Sequence, residues 1–268
     1  MVCLDVEPRD WMQGYTLLRL AAGRLEPFTP PPHRARVPAP LPLAGARLVL
    51  EGVRFGHDPK RPLFTGASLS LPAGALVAVT GPNGAGKSSL MRLIAGLSAP
   101  QAGRIRVDGH DPAEAGPEAV GRILGMVPQQ ADRQFLATRV RDEAAFASRQ
   151  LRLPDPAGNA RQALAALGIE ELAEDHPFDL DSGARRLVAV AAAAAHRPKL
   201  LILDEAQRGL DGGNTARLER FLEAERARGT LILAVCHDMD FAARNATHVL
   251  CVAGGKVSAH EAPSSSPP

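Results

Sequence analysis

Apolar side chains fall along this chain in two rhythms. From Ala46 to Phe55, ARLVLEGVRF, and again near 67–71, apolar and polar residues alternate, as in strands with one face on a core and one in water. Three later runs are apolar at nearly every position: ALVAVT before Gly81, LLIL before Asp204 and LILAV before Cys236. Continuous runs of this length predict strands covered on both faces, as in a parallel sheet. Between the last two, NTARLERFLEAERARG carries a helical pattern and closes on a glycine, a C-cap signal. Buried strands alternating with helices predict an α/β domain with a mainly parallel core sheet.

The flanks read differently. Residues 26–43 hold seven prolines, each fixing φ and removing a backbone donor, so 26–45 reads as an extended linker. The main domain is expected over 46–258, with a disordered tail over 259–268. Ahead of the linker, Val2–Leu25 aligns with Val235–Val257 over its whole length with one single-residue gap. Both begin Val-Cys with an Asp close behind, and both end in a strand-like run, a glycine and a basic residue. Two readings stand for residues 1–25: chance similarity of short alanine-rich stretches, or the remnant of a preceding copy of the domain.

The balance of 31 basic and 29 acidic side chains, net +2, gives no global electrostatic case for nucleic acid or a membrane surface, so any anion site must be local. Cys3, Cys236 and Cys251 show no metal-ligand spacing and are odd in number, which fits a reducing, cytosolic compartment. The longest apolar run, LVAVAAAAA from Leu187, is shorter than the about 20 residues that span a bilayer. Asp5, Glu7, Arg9 and Asp10 do not suit a signal peptide.

Local chemistry is concentrated at three strand ends. GPNGAGKSS, Gly81–Ser89, lies between the strand ALVAVT and the helical pattern SLMRLIAGL, the context a phosphate-binding loop requires. Glycines such as Gly81, Gly84 and Gly86 let backbone amides converge on phosphate oxygens, and the helix N-terminus adds its positive dipole end. Lys87 can reach the terminal phosphates, and Ser88 can ligate Mg²⁺. A glycine-rich turn with a surface lysine is the bland alternative, and this context argues against it. Asp204 and Glu205 leave a second apolar strand on the side where parallel sheets bind ligands: Asp204 can hold Mg²⁺ through water and Glu205 can polarise an attacking water. Alone, such acids are ordinary loop starts; beside a phosphate loop they form a site. His237 follows the third strand and can reach a terminal phosphate and the attacking water, or else cap a helix.

Together these elements resemble the ATP-binding cassette (ABC) ATPases over about residues 46–258. The resemblance implies a P-loop NTPase fold: a mainly parallel core sheet, an N-terminal antiparallel β subdomain and a helical subdomain at about 130–195. It identifies GPNGAGKSS as Walker A, with Asn83 and Ser89 at the nucleotide, and LLILDE as Walker B plus catalytic glutamate. Gly209–Asp211 becomes the D-loop, with Asp211 its acid, and His237 the switch histidine. Gln129 falls at the Q-loop, where it would serve catalysis and Mg²⁺. His57 falls where an aromatic ring usually stacks on adenine; it offers less area, or is an ordinary loop residue. Within the family, VPQQADRQFLATRVRDEAAF looks like the energy-coupling factor importers, through Gln134, Phe135, Val140, Asp142, Glu143, Ala145 and Phe146. That likeness implies uptake of a vitamin or a cobalt or nickel ion at the cytoplasmic face of the membrane. The partners implied are a transmembrane coupling subunit and a substrate-binding membrane protein, with no nucleic acid, and Phe135 and its neighbours would meet the coupling helices.

The sequence departs from the family at the signature motif. Without gaps, that motif falls on Leu180–Ala184, with Asp181 at the serine position and Ser182 at the first glycine; Leu180 and Gly183 survive. In the family this segment closes over the γ-phosphate held by the opposing subunit. A carboxylate there would oppose that phosphate, since like charges about 4 Å apart repel by roughly 1 kcal/mol in water and more in a drier interface. Asp181 can equally be a simple N-cap. Either way a homodimer would have two impaired sites. The expectation is therefore pairing with a second cassette bearing an intact signature, as a heterodimer or a lost tandem half. The alternatives are a degenerate regulatory cassette that binds ATP without turnover, and a soluble non-transport cassette protein. DNA-end proteins of the latter kind need a coiled-coil insertion that is lacking here, and ribosomal ones a charged linker where this one is proline-rich.

Overall fold

The computed structural model describes residues 18–21, 24–27, 45–58, 62–130, 135–236 and 238–262, with the backbone alone over 18–27. The proline-rich stretch 28–44, the end of the tail from 263 and His237 lie outside the described residues. The chain divides into two units, Met1–Val37 and Pro38–Pro268.

In the first unit, β1 (Leu18–Ala21) and β2 (Arg24–Pro27) form an antiparallel hairpin in which Ala21 faces Arg24 across a two-residue connection.

The second unit has two sheets. β3 (Ala46–Phe55) pairs antiparallel with both β4 (Phe64–Pro72) and β6 (Ala102–Val107), giving the order β4-β3-β6. Leu48, Leu50, Val53 and Phe55 of β3 face the core, as the alternation requires, and a register shift between Leu50 and Val53 absorbs the glycine at 52. The larger sheet contains β5 (Leu76–Thr80), β7 (Leu124–Val127), β8 (Leu200–Asp204), β9 (Leu231–Val235), β10 (His248–Ala253) and β11 (Lys256–Glu261). Their order is β11-β10-β5-β9-β8-β7, parallel throughout except for the edge strand β11. All five residues of β8 and of β9 are buried, which explains their uninterrupted apolar runs.

One face of this sheet packs against the antiparallel sheet and α1 (Lys87–Ile94) in a core that includes Leu48, Phe64, Met91 and Leu233. The other core joins α6 (Gly212–Ala227) to a helical subdomain of α3 (Val140–Gln150), α4 (Pro156–Leu167) and α5 (Ser182–Ala194). α5 is rich in alanine because it lies close to its neighbours: a methyl group added to Gly125 of β7 would come within 2.0 Å of the Ala193 carbonyl oxygen. Among the described residues, α2 (Gly116–Ile123), α7 (Met239–Asn245) and two short 3-10 turns, Glu170–Leu172 and Pro177–Asp179, also belong to this unit.

The α/β class, the mainly parallel sheet, the antiparallel β subdomain and the helical subdomain all match the reading from sequence. The boundary at 258 does not. β11 continues to Glu261 and the Ala262 amide bonds the Thr247 carbonyl, because the strand needs its full length to cover the edge of β10. The β10–β11 hairpin places Ala253 opposite Lys256 across two residues, the same register as Ala21 and Arg24 in β1–β2.

Candidate functional site

β5 delivers the chain into the loop Gly81–Gly86, and α1 starts directly behind it at Lys87. The glycines are structural requirements. Gly81 has φ +144° and an added methyl would approach the Val252 carbonyl oxygen to 2.1 Å; Gly86, at the N-cap, has φ +102° and lies against the Phe64 ring. Gly84, at φ +79°, has open space around the position a side chain would take, so its backbone is accessible to a large anion. The first-turn amides of α1 and its dipole face the same space.

That space is a cleft of about 350 Å³ lined by His57, Asn83, Gly84, Gly86, Lys87, Ser88, Ser89, Gln129, Asp204 and Glu205, with Leu63 and Val235. Ten residues expected from sequence, carried by four separate segments, thus meet in one place. Lys87 is buried, and its amino group donates to the carbonyl oxygens of Gly81 at 2.7 Å and Pro82 at 3.1 Å. Burial lowers its pKa, while Glu205 and then Asp204 act in the opposite direction by their charge. The Ser88 hydroxyl donates to Asp204 Oδ2 at 3.5 Å, so these two oxygens lie close enough to serve one small cation between them. This donor set and the glycine cradle fit a Mg²⁺–nucleotide. His57 Nε2 and Ser89 Oγ are 3.2 Å apart, and the His57 ring meets Phe55 edge to face at 5.2 Å.

Glu205 is held at several points. It has φ +58°, a strained conformation for a residue with a side chain. Its amide donates to the Val235 carbonyl at 3.0 Å. Its own carbonyl accepts from Arg186 Nη1 of α5 at 2.7 Å, and its carboxylate accepts from Arg208 Nη1 at 2.9 Å. Neither arginine was expected from sequence. The available signal for Arg208 was its place three residues beyond the acid.

The residues expected at the signature and the D-loop, Asp181–Gly183 and Asp211, do not line this cleft. Asp181 N-caps α5, accepting from the Ala184 amide at 2.8 Å, and Asp211 N-caps α6, accepting from the Asn214 amide at 2.7 Å. The two caps are neighbours: a methyl on Gly183 would come within 2.8 Å of Asn214 Nδ2. The capping role for Asp181 is thus present.

A second concavity, about 450 Å³, opens between β7, α3 and α5, with Met126, Phe135, Leu136, Phe146 and Leu151 among its lining. Leu136 is 71% exposed, and Phe135 packs edge to face on Phe178, itself half exposed. Buried Glu143 fixes this rim by accepting from the amides of both Leu136 and Ala137 at 2.8 Å.

A sequence profile of the ABC transporter family matches residues 64–208. The nickel import ATP-binding protein NikO of Rhodobacter capsulatus is 37% identical over 221 residues, covering 78% of this chain and 87% of that protein. The energy-coupling factor transporter ATP-binding protein EcfA1 of Enterococcus faecalis is 33% identical over 213 residues, 78% of this chain and 76% of that protein. Among solved structures, cbiO1 from Clostridium perfringens, part of the ABC transporter complex cbiONQ, superposes with a TM-score of 0.71 at 26% identity, over 80% of this chain and 87% of that one.

Proposed function

The chain belongs to the ABC transporter family, and from that membership we propose that it is the ATP-hydrolysing subunit of an importer of the energy-coupling factor type, carrying a vitamin or a transition-metal ion. The observation that carries this reading is the single cleft that gathers the phosphate loop, Asp204, Glu205 and Gln129. Loop amides and Lys87 would hold the phosphates, and Ser88 and Asp204, with Gln129, would hold Mg²⁺, which would neutralise charge on the terminal phosphates. Glu205 accepts a hydrogen bond from the attacking water and orients it in line; the family pattern assigns the same water to His237, which lies outside the described residues. His57 packs against the base.

The capped Asp181 supports pairing with a second cassette that supplies an intact signature to this chain's cleft, at the cytoplasmic face of the membrane. Among the described residues no helix is long and apolar enough to cross a membrane, and the apolar concavity rimmed by Leu136 is the face offered to the transmembrane coupling subunit. The experiment is ATP hydrolysis by the purified chain, alone and with the cassette that co-purifies from membranes. Turnover is expected from the pair only; turnover typical of transport ATPases from the chain alone refutes the pairing, and no turnover from either favours a regulatory cassette.

A second reading, on domain organisation, draws support from the two hairpins. In the alignment of Val2–Leu25 with Val235–Val257, β1 falls on Leu250–Ala253 and Arg24 on Lys256, and both hairpins share one register. We propose that residues 1–25 are a remnant of the closing segment of another cassette, which makes the partner a tandem half; β2 carries that segment two residues into the stretch expected as linker, to Pro27. Immunoblotting of native cells should then reveal a polypeptide about twice as long as these 268 residues; a single band at the length of this chain counts against fusion.

A further inference from the structure

We infer that Arg208, together with Arg186, is a positioning residue for Glu205, holding the carboxylate in register with the phosphate loop. The inference rests on the ATPase reading of the cleft and adds to it a pair of residues that act through the glutamate.

Buried Asp204 and Glu205 are consecutive acids in one cleft, and buried carboxylates need counter-charge and hydrogen bonds. Among the described residues, Lys87 and Arg208 are cations beside them. Lys87 interacts electrostatically with both acids, but its amino group is the one that phosphates recruit. Arg208 is different: its guanidinium reaches Glu205 Oε2 at 2.9 Å while its side chain is 73% exposed, so it lies on the solvent side of the acid. Nucleotide that draws Lys87 to the phosphates therefore leaves the Arg208 contact on Glu205 in place.

The backbone contributes the rest of the arrangement. The Arg208 amide donates to the Glu205 carbonyl at 3.1 Å, closing a turn that brings the side chain back over the acid. The same carbonyl accepts from Arg186, which comes from α5, the helix capped by Asp181. Peptide and carboxylate of Glu205 are thus held by arginines from α5 and from the turn after β8, at a residue with a strained φ of +58°. Arg186 also ties the glutamate to the helical subdomain, so a shift of α5 is felt at the peptide of the residue that orients water.

The test compares Arg208→Ala and Arg208→Lys with the wild-type chain, in complex with its co-purified partner. Misplacing a reacting group by about 1 Å can cost 10²-fold; loss of one of several tethers is expected to lower kcat roughly 5–10-fold. The dissociation constant for a fluorescent ATP analogue should stay within about twofold, and Arg208→Lys should recover part of the rate. An unchanged kcat, or a parallel loss of affinity, overturns the inference. A measurement independent of turnover compares crystal structures of wild type and Arg208→Ala grown without nucleotide. Glu205 should leave its wild-type rotamer or split between rotamers in the variant; an identical rotamer overturns the positioning role. Failure of the wild-type complex to hydrolyse ATP would instead count against the ATPase reading, and the crystallographic comparison would still decide the role of Arg208.

Discussion

His196 shows how one buried side chain ties stability to pH. It sits after α5, nearly out of solvent, with its Nε2 edge 3.2 Å from the Leu124 carbonyl oxygen. Burial lowers its pKa, with the Leu124 contact opposing. His248 shifts the same way, by burial first, with Glu261 opposing and His260 reinforcing. An unfolded histidine takes up a proton near pH 6.5, whereas the folded one resists until lower pH, so the unfolded state binds more protons in between. Stability should therefore fall as pH drops through about 6.5 and level off below the folded-state value. Melting temperatures between pH 8 and 5 check this, and His196→Gln should flatten the slope; an equally steep slope in the variant removes His196 as the cause. By contrast Cys236, with its thiol pushed up to about 12 by burial and by the charge of Asp238, is a packing residue rather than a reactive one.

At the scale of the element, the start of α5 separates shape from chemistry. The Asp181 cap accounts for about 1 kcal/mol, within a range of roughly 0.5–2. Asp181→Ala should lose that amount in urea denaturation. Asp181→Ser, which keeps a capping oxygen, should stay within about 0.5 kcal/mol of wild type while removing the carboxylate from the signature segment; if the serine variant is as destabilised as alanine, the cap is not what the aspartate supplies. Legibility in the sequence divides along the same line. Walker A was readable because nine consecutive residues carry both its geometry and its chemistry, and β8 and β9 because burial on both faces leaves an apolar run. The clamp on Glu205 was not, since it depends on where α5 comes to rest against the end of β8. The brace of Glu143 was equally hidden: an acid in a helical pattern looks solvated until the loop at 136–137 turns its amides onto it. The strand boundary at Glu261 was missed because polar residues on an edge strand resemble a tail.

For the whole molecule, the proposed function gives the two concavities separate tasks, nucleotide in one and the coupling subunit at the other. Leu136 is exposed on the rim that Glu143 fixes and is not part of the nucleotide-cleft lining, so a charge there tests docking. Leu136→Asp should abolish co-sedimentation with membranes that contain the coupling subunit while leaving binding of a fluorescent ATP analogue within about twofold; retained sedimentation would move the docking face elsewhere.

The order of strands in the large sheet has a consequence in time as well as in space. β5 carries the phosphate loop, yet both of its neighbours come late: Leu76 pairs with Ile232 and Val77 with His248. At about 5–20 residues per second, a ribosome that has finished β5 needs on the order of ten to thirty seconds to supply the strands that flank it. Through that interval the Leu-Val-Ala-Val run of β5 has neither edge paired, and a nascent-chain holdase that recognises apolar extended segments would find its binding site there.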